Sequence, residues 1–172
     1  GILDGNHHSL SIYDTIPPEC FFLDSQRNET IIFPYSIIGI MISGCSVMNL
    51  NLVGNYSYPI QLSAGDNLTI QSNKTRELSF ENCNSYANYA FPDYDTYHYV
   101  INFSPFSITS YYMHNCKNYG NVNCSGKTSV ALSGIFTSIE IDSCYNYGNI
   151  ENSNICYGIY GDRVANCKNY GS

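Results

Sequence analysis

The feature that most constrains the fold of this chain is a short repeat built around cysteine. The pattern Cys-x-Asn-Tyr-Gly begins at Cys116, Cys144 and Cys167, and weaker matches surround Cys83 and Cys45. In chain order these five cysteines are separated by 38, 33, 28 and 23 residues. The shortest interval is close to the roughly 20–25 residues of one short-strand solenoid turn. We therefore interpret each longer interval as one turn plus a loop insertion.

The apolar residues between the cysteines predict β-strands. Short alternating runs such as Ile139, Ile141 and Cys144 are typical of half-buried strands. No stretch repeats apolar residues at i, i+3, i+4 and i+7 over three turns, as an amphipathic helix would. The sequence therefore predicts an all-β fold, and the repeat makes a parallel β-solenoid the expected architecture.

The repeats differ in regularity along the chain. Residues 111–172 contain the clearest repeats, whereas residues 55–105 match them poorly and are rich in loop-forming residues. The chain begins with Gly1, and its last residues restart the repeat. We expect residues 1–172 to be a single β-solenoid segment of a larger polypeptide.

Asparagine, tyrosine and glycine recur at fixed places in the repeat, and a parallel stack explains why. Equivalent positions of successive turns lie about 4.8 Å apart, so identical side chains contact each other. An asparagine amide can donate to one neighbour and accept from the other, and asparagine and glycine both tolerate the left-handed backbone of a sharp corner. We predict a corner ladder of Asn118, Asn146 and Asn169, a turn at Gly120, Gly148 and Gly171, and an aromatic stack of Tyr119, Tyr147 and Tyr170.

The aligned cysteines allow two interpretations. Free cysteine is among the most buried residue types, so an inward column of thiols fits a solenoid core. In an oxidising compartment the eight cysteines could instead form disulfides. Side chains that point in parallel fit the disulfide dihedral poorly, which favours a partly reduced column with Cys124 and Cys156 as crosslinkers. The column would contain Cys45, Cys83, Cys116, Cys144 and Cys167.

Composition narrows the functional classes. Charged residues make up 12% of the chain, and 14 acidic residues against 7 Lys and Arg give a formal charge of −7. Scattered bases on an acidic chain do not form the basic surface that nucleic acid requires. No run of about 18 apolar residues is present, so we expect no membrane span in this segment.

Candidate catalytic and metal-binding residues are few. Asp93 and Asp95 form a close acidic pair, with His98 nearby, and a glycoside hydrolase needs two such acids. The segment around them has the composition of a solvated loop. His7 and His8 are adjacent and would point to opposite faces of a strand, and no Cys-x₂₋₄-Cys pair indicates zinc. We expect no catalytic residue, no metal site and no cofactor.

Six Asn-x-Ser/Thr sequons are present, a mild excess over chance. Such sequons accept N-linked glycans on the surface loops of secreted proteins. We expect glycans there if the protein is exposed at a eukaryotic or viral surface. The acceptors would be Asn28, Asn55, Asn67, Asn73, Asn102 and Asn123.

The opening residues and the cysteine repeats resemble the GLUG-type repeats of large secreted and surface proteins. The run Gly1-Ile2-Leu3-Asp4-Gly5-Asn6-His7-His8-Ser9-Leu10 resembles the family's Gly-x-Leu-Asp-Gly-Asn-x-His-x-Ile, and the repeats resemble its Ile-x-Asn-Cys-x-Asn-x-Gly-x-Val. The resemblance covers Gly1–Ser9, Ile37–Gly54 and roughly Tyr111–Ser172. It implies a right-handed parallel β-helix with irregular loop insertions, as in surface proteins of bacteria, protists and viruses.

The resemblance and the absence of catalytic motifs favour a non-enzymatic, extracellular structural or adhesive segment of a large surface or filament protein, at a cell or virion surface. In this hypothesis loops between Asn55 and Tyr99 present tyrosines to glycans, or the chain self-associates into a fibre or surface layer. The alternative is a carbohydrate-active β-helix enzyme, a polysaccharide lyase or hydrolase, with active-site residues partly outside this segment. The chain departs from the family at one corner, where it has Ser133-Gly134-Ile135 and Tyr157-Gly158-Ile159 in place of Gly-Gly-Ile. This departure affects how tight that corner can be.

Overall fold

The computed structural model describes residues 2–11, 21–24, 29–32, 35–36, 46–56, 60–64, 79–91, 98–100, 106–108, 112–124, 132–137, 140–151 and 155–172. Every regular element in these residues is a β-strand, so the prediction of an all-β fold is confirmed for this part of the chain. The strands are β1 (Ile2–Asp4), β2 (Ser9–Leu10), β3 (Phe21–Asp24), β4 (Glu29–Ile32), β5 (Tyr35–Ser36), β6 (Ser46–Met48), β7 (Asn51–Leu52), β8 (Asn55–Tyr56), β9 (Ile60–Ala64), β10 (Ser79–Glu81), β11 (Asn84–Ser85), β12 (Asn88–Phe91), β13 (His98–Val100), β14 (Phe106–Ile108), β15 (Tyr112–His114), β16 (Lys117–Asn118), β17 (Val122–Cys124), β18 (Leu132–Thr137), β19 (Glu140–Asp142), β20 (Tyr145–Asn146), β21 (Ile150–Glu151), β22 (Cys156–Tyr160), β23 (Arg163–Ala165) and β24 (Lys168–Asn169).

The strands stack side by side in sheets, and almost all of them are parallel. Sheet I has the order β1-β6-β10-β15-β19-β23, and sheet II has the order β2-β7-β11-β16-β20-β24. Sheet III has the order β8-β12-β17-β21, sheet IV β5-β9-β14-β18-β22, and a small fifth sheet β3-β4-β13. Among the described strands, only β3 and β4 pair in antiparallel fashion. The described residues therefore form stacks of short parallel strands.

The chain visits sheets I to IV in the same order several times, and each passage is one repeat. Repeat 2 contains β6 to β9, repeat 3 contains β10 to β12 and β14, repeat 4 contains β15 to β18, and repeat 5 contains β19 to β22. Strands β1, β2 and β5 belong to repeat 1, and β23 and β24 belong to repeat 6. The register is continuous, since Val47, Phe80, Met113 and Ile141 are successive direct partners across sheet I.

The uneven length of the repeats arises after sheet III. Eight residues lie between Phe80 and Tyr89, and eight lie between Met113 and Val122. These are the inward residues of sheets I and III in repeats 3 and 4. By contrast, 14 residues lie between β12 and β14, whereas four lie between β21 and β22. The additional residues therefore leave the register of the first three sheets undisturbed.

The core consists of columns to which each repeat contributes one inward residue. Alternation along each strand directs these side chains inward and their neighbours outward. Because each buried aliphatic or aromatic side chain contributes about 1.5–3 kcal/mol, the apolar columns supply most of the stabilisation. The buried columns are Val47, Phe80, Met113 and Ile141 from sheet I; Leu50, Cys83, Cys116 and Cys144 from the corner after it; Leu52, Ser85, Asn118 and Asn146 from sheet II; and Tyr56, Tyr89, Val122 and Ile150 from sheet III.

In repeats 2 to 6, one residue of each repeat makes the corner between sheets I and II by adopting the left-handed conformation. Asparagine is suited to this position because its short polar side chain tolerates a positive φ. The corner lies three residues before Asn118, Asn146 and Asn169, so the prediction that these asparagines turn the chain is wrong. The corner residues, with φ between 50° and 55°, are Asn49, Asn82, Asn115, Ser143 and Asn166.

Candidate functional site

The inward asparagines of sheet II form a hydrogen-bonded amide ladder. Asn118 donates from Nδ2 to Oδ1 of Asn146 at 2.8 Å, and Asn146 donates in the same way to Asn169 at 2.7 Å. The second amide hydrogen of each donates within its own repeat, to the carbonyl of Gly120 at 2.9 Å and of Gly148 at 2.8 Å. Two fully buried amides, Asn118 and Asn146, thereby have both amide hydrogens satisfied, which offsets their desolvation.

The glycines of the motif are needed for close packing between repeats. The chain bends at Gly120 and Gly148, as the sequence predicts, but neither these two glycines nor Gly171 has the left-handed φ that we expected there. A Cβ atom on Gly148 would overlap the backbone carbonyl of Gly120 in the preceding repeat. In sheet IV, a Cβ atom on Gly158 would overlap the side-chain amide of Asn169. Glycine at these positions makes room for the backbone and the amide ladder.

The amide ladder ends abruptly at repeat 3. Ser85 is the register partner of Asn118 and has no amide to donate, so Oδ1 of Asn118 is buried without a hydrogen-bond partner among the described residues. A buried polar atom without a partner typically costs about 1–3 kcal/mol. The boundary between repeats 3 and 4 is therefore a local weak point.

The tyrosines that follow sheet II form an aromatic stack on the outside. The ring centroids of Tyr119 and Tyr147 are 4.9 Å apart with an interplanar angle of 3°, and those of Tyr147 and Tyr170 are 4.9 Å apart at 5°. Tyr86 is a fourth member, which stacks on Tyr119 at 4.9 Å. Between 39% and 58% of each residue is exposed, so ring edges and hydroxyls face solvent while the ring faces contact each other. Each such pair contributes about 0.5–1.5 kcal/mol beyond its burial.

The cysteine column consists of free thiols in repeats 3 to 6. Sγ of Cys116 and of Cys144 contact the carbonyl oxygens of Phe80 at 3.5 Å and Met113 at 3.6 Å. Burial raises the pKa of the Cys116 thiol well above its ordinary value. No disulfide is seen among Cys83, Cys116, Cys144 and Cys167 in the described part of the chain, which favours the reduced form of the column.

The alignment of the cysteine column on Cys45 is wrong. Asn51 is the register partner of Asn84, so Leu50 occupies the position of Cys83 in repeat 2. Cys45 itself lies outside the described residues. Leucine replaces cysteine here because the position requires only a buried apolar side chain.

Three further rows of asparagine lie near the surface, outside the pattern Cys-x-Asn-Tyr-Gly. At the corner, Nδ2 of Asn115 donates to Oδ1 of Asn82 at 2.7 Å. On the outer side of sheet II, Nδ2 of Asn84 donates to Oδ1 of Asn51 at 3.0 Å. Beside sheet III, the Oδ1 atoms of a third row accept from the repeat that follows, at 2.9–3.2 Å. The members of this third row are Asn55, Asn88, Asn121 and Asn149.

Charged groups line the last position of the sheet I strands. Asp4, Glu81, His114 and Asp142 share this column, and Nδ1 of His114 lies 3.1 Å from Oδ2 of Asp142. A hydrogen bond from Asn166 is the main factor that lowers the pKa of the Asp142 carboxyl. No group of three potential metal ligands occurs among the described residues.

The other predicted site residues are dispersed. Of the sequon asparagines, Asn55 is exposed on β8 and Asn123 is half-buried on β17. His7 lies at a left-handed position of the first corner, with φ of 61°, and Cys156 is exposed on β22. Cys124 ends β17, and His98 begins β13. The predicted residues outside the described part of the chain are Asp93, Asp95, Asn28, Asn67, Asn73 and Asn102.

Comparisons of the chain with protein families, with curated proteins and with solved structures found no match. Within the residues that the structure describes, no helix is long and apolar enough to cross a lipid bilayer. The stacked side-chain columns are therefore the features on which a functional interpretation can rest.

Proposed function

We propose that this chain is part of a right-handed parallel β-helix with loop insertions and that it serves as a non-enzymatic structural or adhesive element at an extracellular, cell or virion surface. The observation that supports this most directly is the continuous register of like side chains. Asparagine lies on asparagine, tyrosine on tyrosine and cysteine on cysteine, each one repeat apart.

The proposed role is mechanical. In a stack of repeats each repeat contacts only its neighbours, so stability is a sum of repeat and interface terms. Each interface between neighbouring repeats from 4 to 6 contains a hydrogen bond between two asparagine side-chain amides and a stacked pair of tyrosines. Such a stack resists bending and shear locally, while the insertions after sheet III vary in length. A stiff scaffold with variable loops suits a stalk or an adhesive surface.

The test is single-molecule pulling on the purified 172-residue chain, held at its two ends. We expect repeats to unravel successively, with extension steps that correspond to 23 to 44 residues, which is about 80–160 Å at 3.3–3.6 Å per residue. Extension of the whole chain at low force, without separate steps for the repeats, would contradict a mechanical role.

A matched assay tests the non-enzymatic part of the proposal. The same preparation is incubated with a panel of acidic and neutral polysaccharides, and the release of reducing or unsaturated ends is followed. We expect no release above a heat-denatured control. Turnover that disappears in the control would contradict the proposal and favour the carbohydrate-active alternative.

A further inference from the structure

The outer face of sheet II combines lysines with the tyrosine stack. Lys117 on β16 and Lys168 on β24 share a column, with Tyr145 between them in register. Each is two residues before a member of the stack, and Tyr145 packs beside Tyr147 with ring centroids 6.3 Å apart. We call this surface the sheet II face, defined by Lys117, Tyr145, Lys168 and the stack Tyr86, Tyr119, Tyr147 and Tyr170.

Both lysines whose side chains the structure describes, Lys117 and Lys168, lie on the sheet II face. Within the described part of the chain, neither Lys117 nor Lys168 has an ion-pair partner, whereas Arg163 on sheet I is paired with Glu140 at 3.2 Å. Strands of sheet II and the residues leading to sheet III contain no Asp or Glu. The acidic side chains that the structure describes lie on strands of other sheets or, for Asp162, between β22 and β23; they are Asp4, Glu81, Glu140, Asp142, Glu151 and Asp162.

A polar groove continues the face across repeats 1 to 4. Its volume is about 380 Å³. The groove has neither a carboxylate nor an aliphatic side chain in its lining, which offers amide, imidazole and ammonium groups. The lining residues are His7, Asn49, Asn82, Asn84, Asn115 and Lys117. The groove and the lysine column together make a strip that could contact an extended ligand along the stacking direction.

The chemistry of the strip selects among polymers. Nucleic-acid bases bind by stacking on exposed aromatic faces, but both faces of Tyr119 and Tyr147 are covered by neighbouring rings. The cores of protein interfaces are depleted in lysine, whereas this strip contains two lysines, and the lining of its groove has no aliphatic side chain. Amide groups and tyrosine hydroxyls match sugar hydroxyls, and unpaired ammonium groups match carboxylates.

We propose that the sheet II face binds an extended acidic polysaccharide, with Lys117 and Lys168 contacting its carboxylates and the asparagines and tyrosine edges contacting its hydroxyls. This inference rests on the adhesive role proposed above and names its ligand class. The two lysines lie two repeats apart and would contact negative charges spaced along the polymer. Because salt screens this attraction, binding weakens as the salt concentration increases.

The experiment measures binding of polygalacturonate, a linear polyuronate, to the 172-residue chain by calorimetry at low and physiological salt. The variant Lys117→Gln/Lys168→Gln should bind about tenfold more weakly, a loss of about 1.4 kcal/mol. The matched control Arg163→Gln removes a paired cation on sheet I and should bind within about twofold of the parent chain. Neutral dextran should bind to none of them.

Three results would overturn the inference: no binding of polygalacturonate, an equal loss in Arg163→Gln, or equally tight binding of polyglutamate or a single-stranded oligonucleotide. The last result would mean a general anion or nucleic-acid surface. Pulling on the parent chain separates this inference from the proposed function. A parent chain that unravels stepwise but does not bind polyuronate would remove the ligand assignment alone, whereas a parent chain without such steps would contradict the mechanical role.

Discussion

Repeats 2 and 3 and repeats 4 to 6 share one backbone register but fill the space between sheets II and III differently. Repeat 3 places the small Ser85 opposite the large Tyr89, and both are buried. Repeat 4 places Asn118 with Val122 at the same two positions. Where sheet II contributes a long amide, sheet III contributes a short aliphatic side chain. Between repeats 3 and 4, side-chain volume is therefore exchanged from one sheet to the other while the space stays filled.

The two regions also differ in the hydrogen bonds of their buried side chains. In repeats 4 to 6 each amide depends on the next repeat for a partner, so the hydrogen bonds are shared between repeats. In repeat 2 the hydroxyl of Tyr56 donates to the carbonyl of Val53 at 2.8 Å, within the same repeat. The later repeats should be more sensitive to a single substitution, because one change leaves two neighbours without partners.

The largest expected effect follows from removing the centre of the amide ladder. Asn146→Ala removes the acceptor of Asn118 and the donor of Asn169, and it leaves buried polar atoms unpaired. We expect the free energy of unfolding to fall by about 3 kcal/mol. Urea denaturation measures it, with Ser85→Ala in repeat 3 as the control, which should change stability by less than about 1 kcal/mol. Equal effects of the two substitutions would show that the two regions do not differ in this way.

The second prediction converts repeat 3 to the later type. Tyr89→Val alone should cost about 2–4 kcal/mol because it leaves a cavity, and Ser85→Asn alone overpacks the site. In the double variant the new amide can donate to Oδ1 of Asn118, which has no partner in the parent chain. We expect a favourable coupling energy of about 1–2 kcal/mol in the double-mutant cycle. Additive effects of the two substitutions would contradict the exchange of volume between the sheets.

The core columns of the later repeats could be predicted from the sequence, whereas those of the earlier repeats could not, for a physical reason. In repeats 4 to 6 the same residue types recur, so the placing of the Asn118 and Tyr119 columns could be predicted from the motif. In repeat 2 the cysteine and asparagine positions are occupied by Leu50 and Leu52, which preserve burial but not identity. The sequence pattern therefore aligned Cys45 with Cys83, because identical residue types are recognisable in a sequence whereas equal side-chain volumes are not.

The corner could have been found from the residue before each cysteine. Asparagine precedes Leu50, Cys83, Cys116 and Cys167, and only Cys144 is preceded by serine. These asparagines carry the left-handed φ. The assignment to Asn118 failed because asparagine suits both a left-handed corner and an inward amide ladder, and its presence alone does not distinguish them.

The third prediction concerns alkaline pH and the buried groups of repeats 3 and 4. Burial raises the pKa of Cys116 above its ordinary 9.0 and that of Tyr89 above its ordinary 10.0. Above about pH 9 the unfolded chain loses the Cys116 proton while the folded chain keeps it, so the free energy of unfolding falls by up to about 1.4 kcal/mol per pH unit. Below that pH both states hold the proton and this dependence vanishes.

Urea midpoints at neutral pH and at several pH values above about 9 measure this dependence. Cys116→Ala should make the free energy of unfolding less dependent on alkaline pH, by the amount that corresponds to the release of about one proton on unfolding. Leu50→Ala, at the equivalent position of repeat 2, should lower stability and leave the slope unchanged. Identical slopes in both variants would contradict the assignment to Cys116.

The smallest expected effect lies at the corner. Ser143 has a φ of 55° where the other corners have asparagine. Ser143→Asn should raise the free energy of unfolding by about 0.5 kcal/mol, because asparagine tolerates this conformation better and can extend the corner row. Thermal denaturation compares it with Ser143→Ala, which should give no gain. A gain in both would mean that the backbone conformation is not the cause.

The most direct test of the central claim, that like side chains stack in register through repeats 4 to 6, is an NMR measurement of the asparagine side-chain amides. We predict that the Nδ2 protons of Asn118 and Asn146 exchange slowly with solvent, and that cross-peaks connect Asn118 to Asn146 and Asn146 to Asn169. The exposed Asn55 provides the rapidly exchanging reference. Rapid exchange at all four residues without cross-peaks between repeats would contradict the stacked register.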